Sequence, residues 1–178
     1  MHPVRSAASL ILVLLLACVG CRSRVAGYPR DVYAGGAFTA IPGIGLAAGG
    51  GKVIRQTDKY DWAVEGQFVR HFLDDTDLAD DGTEPGRMSA ARVGLKQVAS
   101  PGSKQHATFR YGFQFYRATG NPGIVDQAGD YYGAYASIGF ETDLSRDWSL
   151  GPEISVAVLG GEAFEIVPTF FWNLIRHF

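Results

Sequence analysis

The chain has 178 residues, enough for one domain of ordinary size. Lys and Arg number 16 and Asp and Glu 18, so the net charge is −2, and a nucleic acid is denied the dominant basic face it needs. With 47% hydrophobic, 12% aromatic and 19% charged residues, a disordered chain is excluded as well.

Residues 1–20 read as a secretory signal peptide. Arg5 supplies the positive start, Leu10 to Leu16 the apolar core, and Ala17 and Gly20 the small residues that follow. The run is shorter than the ~20 residues that a membrane-spanning helix needs. Its end, Cys18-Val19-Gly20-Cys21, sets a small residue directly before a cysteine and resembles the lipobox of bacterial lipoproteins. The resemblance implies a diacylglycerol on the Cys21 thiol and cleavage just before it. Cys18, preceded by Leu15-Leu16-Ala17, competes for that role, and a non-lipid cut after Val25-Ala26-Gly27 is a third option. Cutting before Cys21 leaves a single cysteine and no intrachain disulfide, so stability has to come from sheet closure and burial. Residues 21–30 then form a short linker to a domain over 31–178.

Downstream of Tyr28 no helical period of useful length occurs. Runs of strict alternation follow one another, bounded by Gly, Pro, Asp and Ser. Residues 32–41 and 44–55, rich in Gly and Ala and joined at Pro42-Gly43, are read as two strands. Residues 61–72 set Trp62, Val64, Gly66, Phe68 and Phe72 on one face, broken by Arg70. Residues 89–98 alternate Ala91, Val93 and Leu95 with Ala90, Arg92, Gly94 and Lys96. The clearest run, 106–117, opposes Ala107, Phe109, Tyr111, Phe113 and Phe115 to Thr108, Arg110, Gly112, Gln114 and Tyr116. Residues 131–144 set Tyr132, Ala134, Ala136, Ile138, Phe140 and Leu144 against a polar and small face. Residues 148–159 do so with Trp148, Leu150, Pro152, Ile154, Val156 and Val158, and residues 164–178 with Phe164, Ile166, Pro168, Phe170, Trp172, Leu174 and Phe178. The count is eight strands.

A soluble barrel turns the apolar face of such strands inward, whereas a membrane barrel turns it to lipid. Three features favour the second. The polar faces mix Gly, Ala, Ser, Gln, Glu and Arg, which suits a crowded lumen better than a water-facing side. Aromatic residues (Trp62, Tyr132, Trp148, Phe178) recur at the ends of the apolar stripes, as interfacial girdles do. The connections also alternate in part: 56–60, 100–105 and 145–147 are short, while of the outward ones 73–87 and 118–130 are long and Pro42-Gly43 and 160–163 are not. The expected fold is therefore all-β, an eight-stranded antiparallel up-and-down transmembrane β-barrel.

At this point the chain resembles the small outer-membrane β-barrels of the OmpA-domain, opacity-protein and OmpX type. Such barrels end in Phe with apolar residues at alternate preceding positions, and Phe178, Leu174, Trp172 and Phe170 fit; Arg176 departs from the pattern. The resemblance implies a place in the bacterial outer membrane, contact with its lipid, and a C-terminal signal read by the barrel-assembly machinery. It also implies a structural, adhesive or surface-interaction role, with an extracellular or periplasmic protein as partner.

An eight-stranded barrel is just filled by its inward side chains, so no open pore is expected. Glu65, Arg92, Lys96, Arg110, Glu141 and Glu153 are the lumen charges, and they have to pair. The acidic stretch Asp74, Asp75, Asp77, Asp80, Asp81 and Glu84 offers hard oxygen ligands for a cation without EF-hand spacing; a solvated loop is its ordinary reading. No cofactor motif and no catalytic set is found. Lipid A acyl hydrolases share this fold and place a His two residues before a catalytic Ser, where this chain has His106-Ala107-Thr108. The rival reading is a lipid-anchored periplasmic carrier of lipocalin type, in which Phe109, Phe113, Phe115, Ile138 and Phe140 line an internal apolar cavity.

Overall fold

The computed structural model describes residues 32–41, 44–72, 87–101, 103–119, 128–161 and 164–178. Eight strands occupy them: β1 (Val32–Ile41), β2 (Ile44–Gln56), β3 (Tyr60–Phe72), β4 (Arg87–Ala99), β5 (Gln105–Thr119), β6 (Gly129–Asp143), β7 (Trp148–Gly160) and β8 (Phe164–His177). Each pairs antiparallel with the next, and β8 returns to β1, so the sheet closes into a barrel without an edge. The Gly-rich start is two strands, as Pro42-Gly43 implied. β4 and β5 begin earlier and β5 ends later than the alternation suggested. The reason is that pairing continues outward through Arg87, which faces Phe72 on one side and Thr119 on the other.

Alternation sorts the side chains cleanly. Phe38, Phe68, Phe113, Phe140, Ile154, Ile166 and Trp172 all face out and are exposed. Thr39, Glu65, Arg92, Lys96, Arg110, Glu141, Glu153 and Thr169 face in and are buried. An apolar band on this scale is tenable only against lipid, where a closed sheet leaves no backbone group unsatisfied. The stripe that a carrier would need inside is outside instead, with Phe113 73% and Phe140 60% exposed. The polar lumen thus decides between the two barrel readings in favour of the membrane-spanning one.

Two prolines interrupt strands of a sheet that has no edge to hide them. Pro168 lies beyond the last β8 residue that pairs with β1, since that ladder stops at Phe170 opposite Ile41. Across from Pro152 and Gly151, the β6–β7 ladder lapses at Phe140 and Glu141 and resumes at Thr142 opposite Leu150. Each proline thus sits where one of its two ladders is interrupted or has ended among the described residues.

The short turns share one end of the barrel with the start of β1 and the end of β8. In the first, the Thr57 N–H donates to the Tyr60 carbonyl at 2.9 Å, and the Thr57 hydroxyl accepts from the Tyr60 N–H at 2.9 Å. In the second, Ser100 takes a left-handed φ of 55°, and its carbonyl accepts from the Ser103 N–H at 2.9 Å.

One glycine pair is required by close approach. Gly94 and Gly112 face each other across β4 and β5. A Cβ on Gly112 would lie 2.5 Å from the Gly94 Cα, and one on Gly94 would lie 2.7 Å from the Tyr135 hydroxyl. Gly112→Val is expected to abolish the folded form that resists unheated detergent, whereas Gly129→Ala, whose Cβ meets only the Tyr131 ring at 3.9 Å, retains it. Electrophoretic mobility before and after boiling checks both.

Candidate functional site

The lumen is layered. At its middle, Arg110 on β5 is surrounded by three carboxylates from three other strands. Its Nε lies 3.0 Å from Glu65 Oε1 on β3, its Nη2 3.0 Å from Glu141 Oε1 on β6, and its Nη1 bonds Glu153 Oε2 on β7. Lys96 on β4 reaches the same Glu141 oxygen at 2.6 Å. Neutral donors complete the carboxylates: the Tyr33 hydroxyl donates to Glu65 Oε2 at 2.8 Å, and Asn173 Nδ2 donates to Glu153 Oε2 at 3.0 Å. Lys96 also lies over the Tyr33 ring, 4.7 Å from its centroid.

Arg92 stands apart from this hub. It is held between the rings of Tyr135 and Phe171, 5.0 and 4.8 Å from their centroids, and its Nε donates to Gln114 Oε1. The six lumen charges expected from the alternation are all buried there, three of each sign; five of them pair in the hub, whereas Arg92 is held by Gln114 and two aromatic rings rather than by a carboxylate. Tyr33, Gln114 and Asn173 were not singled out as their partners, although each occupies an inward position of its strand.

Above the hub, toward the long connections, the lumen is apolar and aromatic: Met88, Tyr116, Tyr131, Leu159, Val167 and Phe171 pack together and are fully or almost fully buried. Below it, at the short-turn end, a cavity of about 50 Å³ is lined by Tyr33, Asp61, Lys96, His106, Asp143 and His177 among others. That is space for a few water molecules and no more. His106 Nε2 lies 3.4 Å from Asp143 Oδ2 and its Nδ1 3.0 Å from the Ser100 carbonyl; His177 Nε2 lies 2.9 Å from the Ser149 hydroxyl. His71, by contrast, contacts Thr39 at 3.1 Å near the other end. His106 and His177 thus share the short-turn cavity while His71 stands apart from them, and no group of three metal-ligating side chains occurs among the described residues. His106 and Thr108 both point into the lumen and are buried.

On the outside, Trp172, Leu174 and Phe178 are exposed and Phe170 is half-buried, forming one lipid-facing stripe along β8 and the C-terminus. Arg176 shares that face at the short-turn end. Its guanidinium lies 5.0 Å from the Phe178 ring centroid and 5.7 Å from that of Trp148, so the departure from the terminal pattern is accommodated by cation–π contact near the interface. Cys18, Cys21 and the acidic stretch Asp74, Asp75, Asp77, Asp80, Asp81 and Glu84 lie outside the described residues.

No family model and no curated protein matches the sequence. Solved structures do match the fold. Neisserial surface protein A (NspA) aligns with a TM-score of 0.54 at 13% identity, over 83% of this chain and 96% of that one. Ail, the attachment invasion locus protein of Yersinia pestis, aligns with a TM-score of 0.52 at 11% identity, over 82% of this chain and 95% of that one. Ail in complex with the heparin analogue sucrose octasulfate aligns equally well, with a TM-score of 0.52 at 9% identity, over the same shares of the two chains. The closed eight-stranded antiparallel barrel, polar within and apolar without, is thus an outer-membrane-type barrel.

Proposed function

We propose that this chain is a bacterial outer-membrane barrel that acts through its surface, as a structural or adhesive protein, and not as a conduit. The observation that carries this reading is the occupied lumen: an ion-pair hub at mid-height, capped by a plug of aromatic and aliphatic side chains. Among the described residues, these side chains occupy the space that a conduit would need. The connections over 73–86 and 120–128 are then the presented surface. A protein partner, extracellular or periplasmic, is their counterpart. Mature Cys21 carries the lipid anchor, with Cys18 the alternative, and the stripe Phe170, Trp172, Leu174, Phe178 engages the assembly machinery. No catalytic role is assigned. Hydrolysis of a membrane lipid needs a base and a nucleophile where the lipid ester can reach them, and His106 and Thr108 face the lumen.

The Ail complex holds a polyanion. In this chain the 73–86 connection carries six carboxylates between Asp74 and Glu84, the wrong sign for such a ligand, so a cationic or neutral surface partner fits better. Two experiments test the reading. Reconstituted into planar bilayers, the protein is expected to give no conductance steps; a stable open level would overturn the closed-lumen reading. Shortening 73–86 and 120–128 is expected to abolish cell attachment while the heat-shifting band persists, and undiminished attachment would remove the adhesive role.

A further inference from the structure

We infer that the lipid-facing side of β3, β4 and β5, at the end of the long connections, holds a phosphorylated lipid of the surrounding leaflet. The inference rests on the membrane-barrel reading and adds a ligand to it. Arg70, Arg87 and Arg117 all face outward there and are exposed. The register places them together: Ser89 on β4 stands between Arg70 on β3 and Arg117 on β5, and Arg87 lies two residues further along β4, between Phe72 and Thr119. Among the described residues, the outward face at this end carries one acid, Asp130, 3.6 Å from Arg117. Arg70 lies against the Phe72 ring, 5.5 Å from its centroid.

Three outward arginines grouped by register around a half-buried serine, with one acid beside them, leave an excess of positive charge that a neighbouring hydrocarbon phase does not screen. An anion supplied from the membrane side offsets that excess, and forked guanidinium donors match a phosphate in geometry as well as charge. Immediately below the basic row, the surface changes into a trough. Its floor is Ala91 and Val93 on β4; Phe68 on β3 forms one wall, and Phe115 and Phe113 on β5 form the other. β3 and β5 are separated by roughly 10 Å, twice the strand spacing, which leaves room for an acyl chain between the rings. Headgroup site and chain site are therefore continuous, with the polarity order of a lipid standing in its leaflet.

The test uses the full barrel folded in neutral detergent and native mass spectrometry, with dioleoyl phosphatidate, dioleoylglycerol and inorganic phosphate as separate probes. One phosphatidate is expected to be retained, dioleoylglycerol not, and inorganic phosphate is expected not to displace the lipid. The triple variant R70Q/R87Q/R117Q should lower phosphatidate retention by about tenfold or more. R70K/R87K/R117K should restore most of it, and R55Q, an outward arginine of the opposite end, should leave it unchanged. Equal retention of dioleoylglycerol would reduce the site to an apolar trough, and displacement by inorganic phosphate would reduce it to an ion site; either overturns the inference, as does an unaffected triple variant. The carbonate-washed, unheated gel band separates this from failure of the underlying reading. A wild-type protein that neither stays with the membrane nor shifts on boiling overturns the barrel itself, whereas one that does both while binding is indifferent to the arginines overturns the lipid site alone.

Discussion

Arg110→Met will lower the stability of the folded barrel by about 3–5 kcal/mol, read as an earlier urea midpoint for loss of the heat-shifting form. Methionine is similar in volume, so the effect is chiefly the loss of the charge and its hydrogen bonds. Glu65, Glu141 and Glu153 would be left in the lumen with Lys96 on one of them and only neutral donors on the others. Arg110→Lys should recover part of the loss, because one ammonium cannot serve three carboxylates on three strands as a planar fork does. Adding Glu153→Gln to Arg110→Met should recover more, by removing one of the stranded charges, and the non-additivity of the pair measures their coupling. A change below about 1 kcal/mol in the single variant would show that the hub is not what holds this lumen closed.

Phe113→Arg will cost about 2–4 kcal/mol in folding into lipid vesicles, the penalty of a charge at mid-depth on a lipid-facing wall. Phe113 is 73% exposed, near the middle of β5, and flanked by Val93 and Ala134, neither of which can shelter a guanidinium. Phe164→Arg, at the first residue of β8 and 71% exposed, is the matched control and should cost no more than about 1 kcal/mol, since a rim position lets the side chain reach headgroups. Equal penalties at the two sites would mean that the band is not spanned by hydrocarbon in the way its height suggests.

The strands were legible because period two is a local property: Phe109, Tyr111, Phe113 and Phe115 declare a face whatever lies beside them. The membrane-facing direction was legible too, from what stood opposite, since Arg110, Gln114 and Glu141 make a poor water-facing side and a good lumen. What could not be read was who meets whom. Arg110 joins carboxylates on β3, β6 and β7, and that meeting depends on the stagger of strands around a closed barrel, which no single strand encodes. Tyr33 and Asn173 are as hard to read, since the inward residues next to each are small or apolar and their partners, Glu65 on β3 and Glu153 on β7, lie on other strands. In the sequence Arg70 breaks one stripe, Arg87 closes a connection and Arg117 ends a run, with nothing to relate the three. Register turned them into one patch.

Closure itself has a kinetic consequence. β1 meets β8 through Tyr33 opposite His177 and seven further pairs, joining the two ends of the domain. Such pairing has the largest sequence separation the domain allows, and its chain-entropy cost is met before any of its bonds reward it. Until that moment both terminal strands present unpaired backbone, and β1, built largely of Gly and Ala, has little side-chain affinity with which to hold a partial register. Folding should therefore be slow and late-committing, with the seam as its final, cooperative step. Exposed strands awaiting that step are templates for other chains, so dilute conditions or an assisting template at the β8 edge should favour closure over aggregation.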